Sequence, residues 1–443
     1  MKIAAIIALG AAALQGTSGA QTPDCAVSAA WVVGGAEPQE PMVVPRGGFP
    51  APGFGPVIDV LLLYTPAAAA RAGGVDAMES TALDWIAQTN AYAALSGVSH
   101  TLRAVGLEMV AYTEGADISV DLSRMQRRLG AFEGVEPERT RVGADIVHLI
   151  STSSGACGIA FLIGRFGPQW SQYGYAVSTV DCGPGTFAHE TGHLLGCAHD
   201  RDDRTIVGAY CFSYGYRTPD LRYRDLMARF PGERAPVYSG PTAFFRGYVM
   251  GTPPTLSIPC AGDDAALTMN LTAPLAAEFR TAPLPARPPD GFAAVSPAPG
   301  AVNVAPTVTL GWRFSAGAAR YEVVVSRRPD LQEPVLTATL PQGIGPLRVT
   351  PPVGALSAGA RYYWRVLARN ASAATPASGG TLDFRTRIPG DADGDGTVGF
   401  LDLNLVLANF FESGAPGSIP GDVNSDGVVD FTDLNIVLAN YGL

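Results

Sequence analysis

The chain has 443 residues, 47% of them apolar, which excludes a wholly disordered protein and suits two to four domains. Its net charge of −10 argues against a nucleic-acid binder, which needs a basic footprint. The acidity is local: residues 388–443 hold eight Asp and one Glu without Lys or Arg, so the remainder sums to about −1.

Lys2 precedes an apolar run, Ile3 to Leu14, and then the small residues Ser18-Gly19-Ala20. This order reads as a signal peptide over 1–20 and an exported, secreted chain starting near Gln21. The run is too short to span a bilayer, and no other stretch is long enough, so no membrane span is expected. Residues 21–55 are rich in Pro and Gly and read as a leader or linker.

Residues 56–280 carry alternating strand and helix signals and predict an α/β domain. The run VIDVLLLYT from Val57 reads as a buried strand. Residues 75–95 fit an amphipathic helix with Met78, Leu83, Ile86 and Ala87 on one side. Strands are expected at 100–112, 144–150, 158–163 and 174–180. Six cysteines in an exported chain suggest disulfides. Cys157–Cys182 and Cys197–Cys211 are expected because each closes a short loop, leaving Cys25–Cys260 as a tie between the leader and the domain's end. Cys25 has two alternatives: a thiolate held on a metal to keep the site latent, or a free buried thiol.

Residues 185–200, GTFAHETGHLLGCAHD, are the sharpest signal. His189 and His193 are four apart, so a helix projects both imidazoles from one face, where they can share one Zn²⁺. Glu190 stands beside them, in reach of a water. Gly196 can take positive φ, ending the helix and returning the chain so that His199 becomes the third ligand. Three imidazoles leave an open position, as in a catalytic zinc site. His100 and His148 sit in strand-like runs and read as ordinary core or surface residues.

This segment resembles the zinc signature of the metzincin metallopeptidases, and Asp200 after the third His resembles the reprolysin (adamalysin-like) branch. The resemblance covers roughly 57–280. It implies a buried structural role for Asp200 and a Met-turn at Met227 within YRDLMAR, forming a floor under the zinc; Met250 is the weaker candidate. Arg229 stands where some metzincins carry a zinc-approaching Tyr, which disfavours those branches. The resemblance further implies peptide hydrolysis with Glu190 as general base on protein or peptide substrates. Substrate would pair with an edge strand near 158–165, and 229–234 would wall the pocket for the residue after the scissile bond.

Residues 281–290, TAPLPARPPD, read as a Pro-rich linker. Residues 291–387 are strand-and-turn sequence. Leu356, Tyr362 and the run YYWRVLARN resemble the tyrosine-corner strand of fibronectin type III domains, implying an all-β sandwich; a spacer role is favoured over ligand binding.

Residues 388–443 hold a repeat with an offset of 31 residues. Asp391, Asp393, Asp395, Thr397 and Asp402 in one copy match Asp422, Asn424, Asp426, Val428 and Asp433 in the other. Oxygens at loop positions one, three and five with Gly at six suit Ca²⁺, with Thr397 and Val428 offering carbonyls and Asp430 acting through water. Closure by Asp, with the paired helices LDLNLVLANF and TDLNIVLANY, resembles type I dockerins. That implies a small all-α calcium-binding domain and a cohesin-like protein partner. Phe400-Leu401 and Phe431-Thr432 replace that family's usual polar pair, a departure at the recognition positions. A tail that only stabilises the chain, without a partner, is the alternative. For the whole chain the expected function is a secreted zinc endopeptidase on a docking module; the alternative is a cell-surface or complex-associated binding protein whose metzincin-like domain no longer cleaves.

Overall fold

The computed structural model describes residues 51–443 apart from 52, 116, 204–206, 255–259, 281–286 and 416–417, together with Val32–Val33. The signal segment, Cys25 and most of the leader and Pro-rich linker lie outside these residues. Val32–Val33 pairs in parallel with Leu162–Ile163. No described helix is long and apolar enough to cross a membrane.

The first region is a mixed α/β unit. Strands β1 (Val57–Tyr64), β2 (Thr101–Met109), β3 (Ile146–Ser151), β4 (Gly158–Ala160) and β5 (Tyr175–Thr179) form one sheet in the order β2-β1-β3-β5-β4. The first four in that order run parallel, and β4 alone is antiparallel, along the edge. Parallel strands covered on both faces read as near-continuous apolar runs, which is why VIDVLLLY carries no alternation. Helix α1 (Val75–Leu95) crosses one face and α2 (Pro184–Leu194) lies beside it. The helix α1 buries Met78, Ala82, Leu83, Trp85 and Ile86, while Ala87 is only half-buried. Each such Leu or Ile contributes about 1.5–3 kcal/mol when fully buried. A third long helix, α3 (Ala265–Ala276), closes the unit behind α2, with Thr272 Oγ1 donating to Leu195 O at 2.8 Å.

The disulfide pattern differs from expectation in part. Cys157 bonds Cys182, but Cys211 bonds Cys260, and Cys197 is a free, buried thiol. The pairs Cys197–Cys211 and Cys25–Cys260 are thereby corrected. Cys197 follows the turn after α2 and points its Sγ inward toward Ala265 O on α3, at 3.6 Å. Short sequence separation therefore did not bring Cys211 to it, because the chain between them leaves the core.

Beyond the linker, β6 (Ala294–Ser296), β7 (Ala301–Val304), β8 (Leu310–Trp312), β9 (Arg320–Ser326), β10 (Leu336–Pro341), β11 (Arg348–Val349), β12 (Arg361–Arg369) and β13 (Leu382–Thr386) form two sheets. Their orders are β6-β8-β11 and β7-β13-β12-β9-β10, with Ala374–Pro376 paired off β12. Alternation along β12 buries Tyr362, Trp364, Val366 and Ala368. Ser357 N donates to the Tyr362 hydroxyl at 2.7 Å, beside buried Leu356.

The sandwich is not a detached spacer. Its core is continuous with that of the α/β unit through α1. Arg313 pairs with Asp76 and Arg348 with Asp84 on that helix. Ala104 N on β2 donates to Gly343 O at 2.8 Å.

The last region is two short helices, α4 (Phe400–Ala408) and α5 (Phe431–Asn440), packed over Ile388, Val398, Val406, Val429 and Val437. Asp402 and Asp433 each reach back to the N-cap amide of their own helix.

Candidate functional site

Helix α2 opens with Pro184 in its first turn and carries His189, Glu190 and His193, all buried. Gly196 has φ +88°, and a Cβ there would stand 2.7 Å from the Ala209 Cβ. This position thus needs glycine both for its backbone and for its space. The chain then turns into the short strand Ala198–Asp200, which pairs with Tyr214–Gly215 and delivers His199.

The three imidazoles converge. His193 Nε2 lies 3.0 Å from His189 Nε2 and 3.2 Å from His199 Nε2. Each Nδ1 faces an oxygen that only accepts: Leu226 O at 2.6 Å, Cys197 O at 2.7 Å and the Asp203 carboxylate at 2.9 Å. Each Nδ1 therefore carries the proton, and three Nε2 lone pairs point at one another. Burial lowers all three below the ordinary histidine range, holding the rings neutral. Converging lone pairs repel unless a cation sits between them. Tetrahedral Zn²⁺, about 2.0–2.1 Å from each nitrogen, would separate them by about 3.3 Å, close to what is seen. The donor set fits zinc and leaves room for a further ligand.

Glu190 is fully buried beside this cluster. The strand β4 crosses it at Gly158, where a Cβ would collide with the Glu190 carboxylate and stand 2.7 Å from both Glu190 Cγ and Thr186 Cγ2. Met227 is buried beneath α2, against Gly192, where a Cβ would stand 3.1 Å from Met227 Cε and closer still to its sulfur. Met250 belongs to a separate cluster with Tyr223 and Val237. Asp200 Oδ2 accepts from Arg229 N at 2.8 Å and Oδ1 from Arg217 at 2.7 Å, joining the third-ligand segment to the residues after Met227.

Two residues of this site escaped sequence reasoning. Asp203 orients His199, and nothing but an acidic cluster after the motif marked it. Asp225 is buried under the Met227 turn and accepts N–H bonds from Tyr216, Met227, Ala228 and Ser239. Burial pushes its carboxyl up to about 7 against the pull of those bonds. Its position two residues before Met227 is a turn signal of the Asx kind. Both remaining histidines are buried: His148 bonds Ser178 at 2.8 Å and stacks on Phe187, and His100 lies in the core.

In the C-terminal region, Asp391, Asp393 and Asp395 place carboxylate oxygens within 4.8 Å of one another. Asp391 Oδ1 is buried without a hydrogen-bond partner among the described residues, an arrangement that fits a cation. Asp402 Oδ1 accepts from Ala392 N and Asp393 N, as Asp433 Oδ1 accepts from Val423 N and Asn424 N. In the second loop Asn424 Nδ2 donates to Asp426 at 2.8 Å, with Asp422 accepting from Asp426 N and Gly427 N. Asp426 accepts from Val428 N as Asp395 does from Thr397 N. Asp430 serves as N-cap of α5, accepting from Thr432 N at 2.6 Å.

Residues 56–230 match Reprolysin_5, metallo-peptidase family M12. A peptidyl-Asp metalloendopeptidase of Stenotrophomonas maltophilia (strain R551-3) is 30% identical over 229 residues, covering 50% of this chain and 52% of that protein. Proteins of the same description from Pseudomonas aeruginosa (27% identical; 55% of this chain, 43% of that one) and Xanthomonas campestris pv. campestris (28%; 45% and 47%) are also similar. The chain thus spans about half the length of these relatives. A solved structure described as a chaperone–substrate complex aligns at TM-score 0.41 and 23% identity, covering 51% of this chain and 39% of that one, too slight a likeness to build on. The α/β sheet and the three-imidazole cluster thus lie within the stretch that matches the M12 metallopeptidase model, and they agree with that match.

Proposed function

We propose that the chain is a secreted zinc-dependent endopeptidase that hydrolyses peptide bonds of extracellular proteins. The observation that carries this is the convergence of three neutral, Nδ1-protonated imidazoles beside the buried Glu190. His189, His193 and His199 would hold the ion, which when bound supplies an acidified water and polarises a carbonyl. Glu190 accepts the water's proton and passes it to the departing amine. Among the described residues β4 carries no strand on its outer side, which suits pairing with an extended substrate, and its Gly158 leaves that strand against Glu190. Met227 and Asp225 hold the floor, Gly196 the return of the chain, and Asp200 its tether. Export is supported by the Lys2–Ala20 pattern and by two disulfides. The relatives' description suggests cleavage at aspartate, which we adopt as the substrate preference.

The test is casein and peptide hydrolysis by the purified chain. Glu190→Gln is expected to lower kcat by about 10³-fold or more while zinc stays bound, and a zinc chelator to abolish activity reversibly. Hydrolysis that survives either treatment refutes the reading.

The remaining regions are read as accessories. The two-sheet order and the Tyr362–Ser357 bond support a fibronectin type III-like domain. The two loops support Ca²⁺ held by Asp391, Asp393, Asp395, Thr397 and Asp402, and by Asp422, Asn424, Asp426, Val428 and Asp433. Asp430, engaged as a helix cap, would act there through a water. Exposed Phe400, Leu401, Phe411 and Phe431 on α4, α5 and the chain between them support docking to a cohesin-like protein.

A further inference from the structure

His189 and His193 stand one turn apart on α2, but His199 comes from outside that helix, on the short strand Ala198–Asp200. Its place is therefore set by whatever holds the strand. Ala198 N donates to Ser213 O at 2.7 Å and Ala209 N to Gly196 O at 2.8 Å, so the returning chain leans on the segment 209–215. Arg201 follows just past His199. Its Nη2 donates to Cys211 O at 3.2 Å, to Cys260 O at 3.0 Å and to Gly262 O, and its Nε to Asp263 Oδ1 at 2.5 Å. The guanidinium lies over the Tyr214 ring, 4.4 Å from its centre, and Tyr214 is the strand partner of Ala198. One planar cation thus gathers a carbonyl from each half of the Cys211–Cys260 disulfide, a carboxylate and an aromatic face. Asp264 N donates to Phe212 O at 2.9 Å, and Asp264 caps α3, which fastens the same knot to the core. Cys260 and Asp263 lie beyond residue 230, where the family match ends.

We propose that Arg201 is the positioning residue for His199, and that the Cys211–Cys260 disulfide sets zinc retention through it. The clamp ties the chain after His199 to the disulfide, so the strand cannot swing outward about Gly196 without breaking the guanidinium's bonds. A tetrahedral ion needs its nitrogens at fixed separations, and a strand that drifts by a fraction of an ångström weakens one of its bonds. Asp203 sets the tautomer and rotation of the His199 ring, whereas Arg201 sets where its backbone stands. The role rests on the zinc-peptidase reading and adds what keeps the metal in that site.

The experiment uses the full, zinc-loaded chain and follows zinc transfer to a chromophoric chelator. Arg201→Met is expected to speed zinc loss by about 10- to 100-fold, the usual cost of removing a group that orients a ligand. Cys211→Ser combined with Cys260→Ser should do the same. Adding Arg201→Met to that pair should cost less than about twofold more, because both act through one clamp. Arg201→Lys, which keeps a cation beside Asp263, should recover part of the loss. The cobalt-substituted protein supplies a readout that general destabilisation does not move, since its visible absorption reports ligand geometry. That spectrum should shift in Arg201→Met and stay unchanged in Arg328→Met, which breaks a surface pair on the sandwich. A folded Arg201→Met that keeps the wild-type zinc loss and cobalt spectrum overturns the assignment, as do losses that simply add. Should Arg201→Met not fold, the disulfide-free variant decides, and wild-type zinc retention in it overturns the assignment. Zinc retention that depends on Arg201, in a chain without chelator-sensitive cleavage, would instead sink the peptidase reading and leave this one standing.

Discussion

At the scale of single residues, the metal face is set by groups that never touch a metal. Leu226 O, Cys197 O and Asp203 each fix one imidazole's proton on Nδ1. Of these only Asp203 can be changed by substitution without moving backbone. Removing such an outer partner typically costs 10–100-fold in metal affinity. Asp203→Ala is therefore expected to weaken zinc binding by about that factor, read by competition against a chromophoric chelator, with the fold unchanged by circular dichroism. The convergence of His189, His193 and His199, with Glu190 beside it, was legible because the helical spacing and the turn at Gly196 are both local features. Asp203 was not, because choosing it among Asp200, Asp202 and Asp203 requires knowing how the chain turns after Gly196. Asp225 was hidden for the same reason: its four N–H donors come from three separate stretches of chain.

Among the elements, the edge strand β4 and helix α2 depend on each other. The Cys157–Cys182 disulfide ties the approach to β4 to the turn that begins α2, and Gly158 lets the strand press on Glu190. Gly158→Ala puts a methyl group against the carboxylate. Catalysis should fall at least tenfold while zinc content, measured by atomic absorption, stays at one per chain, since small misplacements at a reacting group cost that much or more. Full activity in that variant would show that Glu190 tolerates displacement and so is not the base. The regular elements were readable in advance where periodicity is strong. The helix over 75–95 and the strands from Val57 and near 146 and 175 lie where apolar runs placed them. The face of α1 was read too narrowly, because a second region packs on it, and a single-helix pattern does not say how many neighbours it has. Disulfide partners were readable only for Cys157–Cys182, since pairing is decided by tertiary approach and not by loop length.

For the whole molecule, the sandwich and the α/β unit act as one body. Their apolar cores merge at α1, two Arg–Asp pairs flank the contact, and Gly343 meets β2 backbone to backbone. Gly343 has φ +71°, and a Cβ there would stand 2.8 Å from Ala104 N. Gly343→Val must lift the loop off the strand. The expected loss is about 2 kcal/mol, within the range for strained, overpacked positions, seen in calorimetry as a lower melting temperature for the α/β unit. An unchanged melt would mean that the two regions unfold independently. The C-terminal pair of helices has a small core of five buried residues, so its melt should instead respond to calcium. Chelating Ca²⁺ is expected to abolish its transition and leave the zinc-dependent one in place.

The contact at Ala104 also settles a problem that any open sheet faces. A five-stranded sheet has two rims, and each bare rim is an invitation to a passing strand. Here the β2 rim is met by Gly343 of the neighbouring region, while the opposite rim, at β4, borders the glutamate. Among the described residues the rim at β2 is thus covered, while the rim beside Glu190 carries no strand on its outer side, so the berth that the proposed peptidase would use and the rim that would only nucleate clumping lie at opposite ends of one sheet.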